Sequence, residues 1–294
     1  MKYADRMAGV ASAAISSATF GFAPYFTKRL LDAGLGEFET LSYRWGFATL
    51  FLILVALLTG CRFRVSGKDF VTILWLSVLR AATSFLLIIA YANIATGAAS
   101  TIHFIYPLAV AATMMLFFHE RFSWLTVAAI ITSMGGAALL SLDSSAQPVG
   151  NTMLGTIAAC CSVLAYGGYM IGVKNSRAAQ INSQTLTVYV TGIGALFFIC
   201  GGIFTGGIRL LDTQSLWLNA LGLGIPATAV SNITLVWGIK RIGPTLTSFF
   251  GALEPLTSVI IGILVFSEPF TLRTALGVVL IIAAVLLAAT KKAE

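Results

Sequence analysis

FFGALEPLTSVI, residues 249–260, lies inside an apolar run from Ile242 to Phe266, and near the middle of that run stand a carboxylate, Glu254, and a helix-breaking proline, Pro255. In water this would be an ordinary interrupted helix. In hydrocarbon a charge is expensive, and the carbonyl that a proline leaves unbonded must find a partner in protein or in a water-filled cavity. What surrounds the segment therefore decides how it is read.

The chain has 294 residues, of which 58% are hydrophobic and only 10% charged, with a mean hydropathy of +0.93. Soluble domains carry about 25% charged residues, so too few charges are present to cover a surface facing water. Apolar runs of about 20 residues, enough to cross a hydrocarbon core of roughly 30 Å, recur along the whole length. The fold class is an all-α membrane protein; a transmembrane barrel would show short alternating segments instead. The net charge of +7 reads as Lys and Arg gathered in cytoplasmic loops, not as a nucleic-acid surface. Cys61, Cys160, Cys161 and Cys200 form no CxxC pair, which indicates neither a disulfide framework nor a zinc site.

Ten transmembrane helices are expected, at roughly 7–30, 38–60, 69–92, 97–118, 123–142, 150–173, 182–205, 213–238, 243–266 and 270–290. With the N-terminus inside, twelve basic residues fall in cytoplasmic segments, among them Arg62, Arg64, Arg177 and Arg241, against four outside, Lys28, Arg29, Arg209 and Arg273. That bias predicts both termini in the cytoplasm.

The chain also matches itself. At an offset of 148, Ile94 meets Ile242, Ser100 meets Ser248, Pro107 meets Pro255, Glu120 meets Glu268 and Thr126 meets Thr274. At an offset of 146, Gly9 meets Gly155, Ser16 meets Ser162 and Gly21 meets Gly167. The expected organisation is two five-helix repeats, 1–145 and 146–294, in one transmembrane domain. Five is odd, so the second copy enters the membrane from the other side. Inverted repeats of this kind typify secondary transporters, whose halves exchange conformations around a central cavity.

Two stretches carry a family resemblance: YPLAVAATMMLFFHERF at 106–122 and EPLTSVIIGILVFSEPF at 254–270, each a proline followed by a helix-ending glutamate. Over essentially its whole length the chain resembles the drug/metabolite transporter superfamily, in particular its ten-helix EamA-type exporters. With ANIATGAASTIHFIYP at 92–107, it is most similar to the bacterial aromatic amino-acid exporters of the YddG type. The resemblance implies export of amino acids and related metabolites across the inner membrane with broad specificity. It also implies a cavity lined by helices one, three, four, six, eight and nine.

Chemistry narrows the candidates for substrate binding to Arg80, His103, Tyr106, Tyr166, Asn232 and Glu254, with Pro107 and Pro255 as helix kinks. Arg80 and Glu254 are the deepest charges. They could form a buried structural ion pair, or Arg80 could offer its fork of donors to a substrate carboxylate while Glu254 meets an ammonium or carries protons. Glu254 corresponds by repeat to Tyr106, each directly before its proline. His103 and Tyr106 share one face of their helix, as do Ser162, Tyr166 and Tyr169. Arg44, six residues into helix two, is expected to snorkel to the outer interface, and Tyr91, ending helix three, to anchor there. Gly135–Gly136 with Ala137–Ala138, and Ala283–Ala284, suit close helix packing or a dimer face.

Other classes fit less well. An enzyme would need a nucleophile with its base, paired carboxylates or a metal cluster, and the two histidines, His103 and His119, are not at metal-ligand spacing. No phosphate-binding loop links the chain to ATP, and no cofactor is expected. The expected partners are an amino-acid or other small-metabolite substrate, the lipid bilayer and protons, in a monomer; no nucleic-acid partner is expected. The alternatives are export of lipophilic cations, for which Glu254 suffices, or of a nucleotide sugar, for which one deep arginine is a poor match.

Overall fold

The computed structural model describes residues 3–94, 96–120, 124–141, 150–266 and 271–290, and every regular element among them is helical. The first apolar run is two helices, α1 (Tyr3–Phe20) and α2 (Ala23–Asp32), which part at Gly21–Phe22 ahead of Pro24. A Cβ on Gly21 would stand 2.6 Å from the Glu254 carbonyl and 2.5 Å from Thr257 Cβ. The break thus falls where the backbone of the opening stretch comes closest. Next are α3 (Glu37–Leu58) and α4 (Gly67–Asn93). Ser66 and Asp69 close a capping box at the start of α4, with Asp69 N donating to Ser66 Oγ at 3.2 Å.

Pro107 splits the fourth run into α5 (Thr96–His103) and α6 (Tyr106–Phe118) and sits in the first turn of the second piece, where its missing N–H costs nothing. The chain continues through α7 (Trp124–Ser141), α8 (Thr152–Asn175) and α9 (Ser183–Phe204). Asn151 and Asn182 cap the last two through their side-chain oxygens. From α10 (Gln214–Gly224) the helix widens into a π turn, Ile225–Val230, and runs on as α11 (Ser231–Phe249), broken at Gly243 by a φ of 85°. A short 3-10 turn, Phe250–Ala252, then leads into α12 (Leu253–Phe266), with Pro255 in its first turn, and α13 (Leu272–Thr290) closes the order. Four of the ten runs read from the sequence are therefore interrupted helices, each at a Pro, a Gly or a π turn.

Among the described residues, six helical stretches are long and apolar enough to cross a membrane, and Val127–Leu140 and Leu272–Ala284 are shorter apolar helices. The longest stretch, Gln214–Ile261, has 48 residues. At 1.5 Å per residue that is about 70 Å, more than twice the hydrocarbon core, and Gly243 divides it. Outward faces carry Leu50, Leu54, Leu57, Leu116, Phe117, Leu196, Phe204, Leu264 and Val279, all well exposed. Lipid tails, not water, suit a belt of this kind.

The most extensive helix contacts among the described residues join α4 to α8, α1 to α11, α7 to α13 and α3 to α9. Small residues make the close approaches. A Cβ on Gly172 would meet Leu76 Cδ2 at 2.6 Å, one on Gly194 the Trp45 ring at 2.4 Å, and one on Gly136 the Gly277 carbonyl at 2.9 Å. Gly136 thus packs within the chain. The end of the bundle nearest residue 3 is filled by Ile73, Leu76, Met114, Met170, Val173 and Ile239, and Lys174 Nζ there donates to the Lys240 carbonyl at 2.7 Å.

Candidate functional site

A cavity of about 290 Å³ occupies the other half of the bundle. Its wall is built from Phe20 to Thr27 across the α1–α2 break, the second half of α4, the end of α5, and Glu254, Pro255 and Val259 of α12. Leu41 and Arg44 of α3, Leu140 of α7 and Tyr166 of α8 complete it. The wall is mostly apolar with a few convergent polar groups, as is usual for small-molecule sites.

Arg80 stands at the cavity floor, 2% exposed. Its Nε donates to Asn232 Oδ1 at 2.8 Å, and Asn232 Nδ2 in turn donates to the Thr228 carbonyl at 2.7 Å. The guanidinium carbon lies 4.9 Å from the centre of the Phe20 ring and 5.3 Å from that of Tyr166, with Trp45 at 5.8 Å and Tyr169 at 5.9 Å. Aromatic faces of this kind compensate a buried cation in part. Nη2 has no hydrogen-bond partner among the described residues, a state that is costly unless a ligand fills it.

Glu254 lies on the same wall, with Pro255 beside it. Among the described residues no ion pair links Glu254 to either cavity arginine; the ion pairs found there are Arg177–Asp69 and Arg209–Glu39, both away from the cavity.

His103 lines the cavity and holds one tautomer. Ser162 Oγ gives its single hydrogen to the Ala159 carbonyl at 2.6 Å, so it accepts from His103 Nδ1–H at 2.8 Å. The ring packs between Tyr106 and Tyr166, with centroids at 5.3 and 5.4 Å. Tyr106 itself stands one layer behind the wall. Its hydroxyl donates to the Ser248 carbonyl at 3.2 Å, tying the break at Pro107 to the end of α11, and Gly251 of the following 3-10 turn leaves room for that hydroxyl. Asn232 is also behind the wall, as the anchor of Arg80.

Besides Tyr106 and Asn232, which stand behind the wall, Arg44 and Tyr91 differ from their sequence expectation. Arg44 does not reach for the outer interface. Its Nε donates to Thr228 Oγ1 at 2.8 Å and its guanidinium lies 5.9 Å from the Phe20 ring, on the cavity wall. Thr228 stands in the π turn at 225–230, which packs against α3; π turns often mark functional positions. Tyr91, read as an interfacial anchor, lines the cavity with its hydroxyl 3.5 Å from Ser100 Oγ. Helix eight supplies no lining residue, because its Thr228 and Asn232 are occupied by the arginines, and helix two takes its place through Leu41 and Arg44. Position in a run marked Arg44 as near an end and carried no sign of its partner.

A helical bundle with an apolar outer face, whose broken helices meet around a cavity with a few convergent polar groups, fits a membrane transporter for small molecules. The chain belongs to the EamA-like transporter family, whose sequence pattern matches residues 7–142 and again 153–290. It is similar to a protein of Archaeoglobus fulgidus described as an uncharacterized transporter, with 26% identity covering 85% of this chain and 87% of that one. It is also similar to the "Uncharacterized inner membrane transporter YicL" of Salmonella typhimurium, with 27% identity over 82% of this chain and 81% of that one. A solved crystal structure with 16% identity matches at a TM-score of 0.82 over 99% of both chains, a likeness of fold alone.

Proposed function

We propose that this chain is a secondary transporter that exports amino acids from the cytoplasm by alternating access. The observation that carries the reading is the pair of unmatched opposite charges on one cavity wall: Arg80 with an unpartnered Nη2, and Glu254 without an ion pair among the described residues. A molecule with both a carboxylate and an ammonium completes both. At about 290 Å³ the cavity is at the small end of ligand sites, which run from about 300 to 1,000 Å³. That suits a metabolite of amino-acid size better than a lipophilic drug. Phe20, Tyr91, Phe104 and Tyr166 on the wall give apolar faces suited to aromatic and other apolar side chains.

The proposed architecture is ten membrane-spanning helices in two inverted five-helix repeats, 1–145 and 146–294. The two matches of the family pattern support this, and so do reciprocal contacts. A Cβ on Gly9 would meet Ile242 Cγ2 at 2.5 Å, and one on Gly155 would meet Ile94 Cγ2 at 2.8 Å, each contact being the repeat image of the other. Exchanging the halves also turns the α4–α8 contact into the α1–α11 contact and returns α3–α9 and α7–α13 to themselves. The loop-charge bias supports cytoplasmic termini in a bacterial inner membrane. The cavity then faces the periplasm, and the packed cluster around Ile73 and Met170 closes the cytoplasmic side.

Flux of labelled amino acids into proteoliposomes, with and without a pH gradient, tests the reading and its coupling to protons. Exchange of nucleotide sugars with no amino-acid flux would replace it. The second arginine on the wall favours one refinement, an anionic cargo.

A further inference from the structure

The charges on the cavity wall do not cancel. Arg44 and Arg80 contribute two positive charges and Glu254 one negative charge, and no other Asp, Glu, Lys or Arg is among the described residues that line it. Both cations lie against the Phe20 ring, at 5.9 and 4.9 Å. In a medium of low dielectric, two neighbouring cations with a single counter-charge are unfavourable, and an anion between them is correspondingly well bound.

Both guanidinia are also held in the same manner. Each donates through Nε, at 2.8 Å, to an acceptor one helical turn apart on the π-widened helix: Arg44 to Thr228 and Arg80 to Asn232. The acceptors are themselves locked. Thr228 Oγ1 spends its hydrogen on the Leu223 carbonyl at 2.7 Å, and Asn232 Nδ2 is taken by the Thr228 carbonyl. Tethering at Nε leaves the outer ends of the two forks for another acceptor, and Arg80 Nη2 is buried without one. It is one of the few buried polar side-chain atoms among the described residues with no partner, and it lines the cavity.

We propose that Arg44 and Arg80 form a two-pronged carboxylate subsite, and that the preferred cargo is an amino acid with a second acidic group, one net negative charge in all. Its two carboxylates lie on the two guanidinia and its ammonium on Glu254, which leaves the filled site neutral; a zwitterion leaves it positive. Thr228 and Asn232 are positioning residues for the two prongs. The inference rests on the amino-acid reading above only for the ammonium.

The test is uptake into proteoliposomes, at a membrane potential clamped with potassium and valinomycin, of labelled glutamate, aspartate, leucine, phenylalanine and succinate. Melting temperatures of each variant report folding. The expected result is that glutamate or aspartate moves at least tenfold faster than leucine or phenylalanine. Arg44→Gln then lowers that acidic-to-neutral ratio at least tenfold, and Arg44→Lys restores part of it. Thr228→Val, which keeps the guanidinium and removes its tether together with the Thr228–Leu223 hydrogen bond, lowers the ratio several-fold and keeps the proposal testable if Arg44→Gln does not fold. Neutral amino acids moving as fast as acidic ones, or a ratio untouched in folded Thr228→Val, overturns the subsite. Succinate flux that depends on Arg44, with no amino-acid flux, supports the subsite and overturns the amino-acid reading alone. Flux of none of the anions overturns the subsite.

Discussion

Arg80 Nε donates to Asn232 Oδ1 at 2.8 Å, joining α4 to α11 across 152 residues of chain. A hydrogen bond to a charged group contributes about 1.5–3 kcal/mol, and here it also aims the fork. Asn232→Leu removes the acceptor and leaves a second guanidinium nitrogen unpaired. The expected outcome is a loss of about 2 kcal/mol in stability, read as a lower melting temperature in detergent, together with lost flux. Asn232→Asp keeps the acceptor and adds a charge partner but gives up the bond to the Thr228 carbonyl, and is expected to lose less stability than Asn232→Leu. A folded, fully active Asn232→Leu would show that the tether is idle.

Glu254 offers the reverse case. Removing one partner of a buried ion pair costs about 3–5 kcal/mol, and no such pair holds Glu254 among the described residues. Glu254→Gln is therefore expected to melt near the wild-type temperature while amino-acid flux falls about tenfold, equal to about 1.4 kcal/mol of binding. A large drop in melting temperature would identify a structural ion pair instead.

Gly135 and Gly136 give an internal control on helix packing. A Cβ at Gly136 would meet Ile281 Cγ1 at 2.8 Å and the Gly277 carbonyl at 2.9 Å, whereas one at Gly135 would meet nothing within 4 Å. Gly136→Val is expected to lose about 1–3 kcal/mol through overpacking. Gly135→Ala is expected to be neutral or to gain up to about 1 kcal/mol from helix propensity. Equal effects in thermal melts would argue that α7 and α13 do not pack through this face.

For orientation, alkaline phosphatase fused after residue 294 is expected to be inactive and a fluorescent protein at the same place to be bright, as for a cytoplasmic end. An active phosphatase there would overturn both the ten-span layout and the assignment of the cavity to the periplasmic side.

The amino-acid sequence was enough to identify a helical membrane protein, because the scarcity of charge and the length of the apolar runs are properties of the chain itself, independent of what touches what. The matched prolines, Pro107 and Pro255, were legible for the same reason: a missing N–H interrupts a helix wherever it lies. Depth along a run pointed to Arg80 and Glu254 as charges with no easy route to water. The reciprocal match of Gly9 with Gly155 and of Ile94 with Ile242 was visible as spacing alone.

Partnership was not legible. Arg44 read as a residue near a helix end, but in the closed bundle it is held by Thr228 of the π turn at 225–230 and lines the cavity. Tyr106 and Tyr166 looked alike in depth and type, yet Tyr166 lines the cavity while Tyr106 spends its hydroxyl on the Ser248 carbonyl. Asn232 proved to be the anchor of an arginine. A run of apolar residues encodes that a helix will sit in lipid and how far into it each side chain lies. Which side chain meets which depends on helix rotation and crossing, set by contacts between residues more than a hundred positions apart, and these exist only once the bundle has closed.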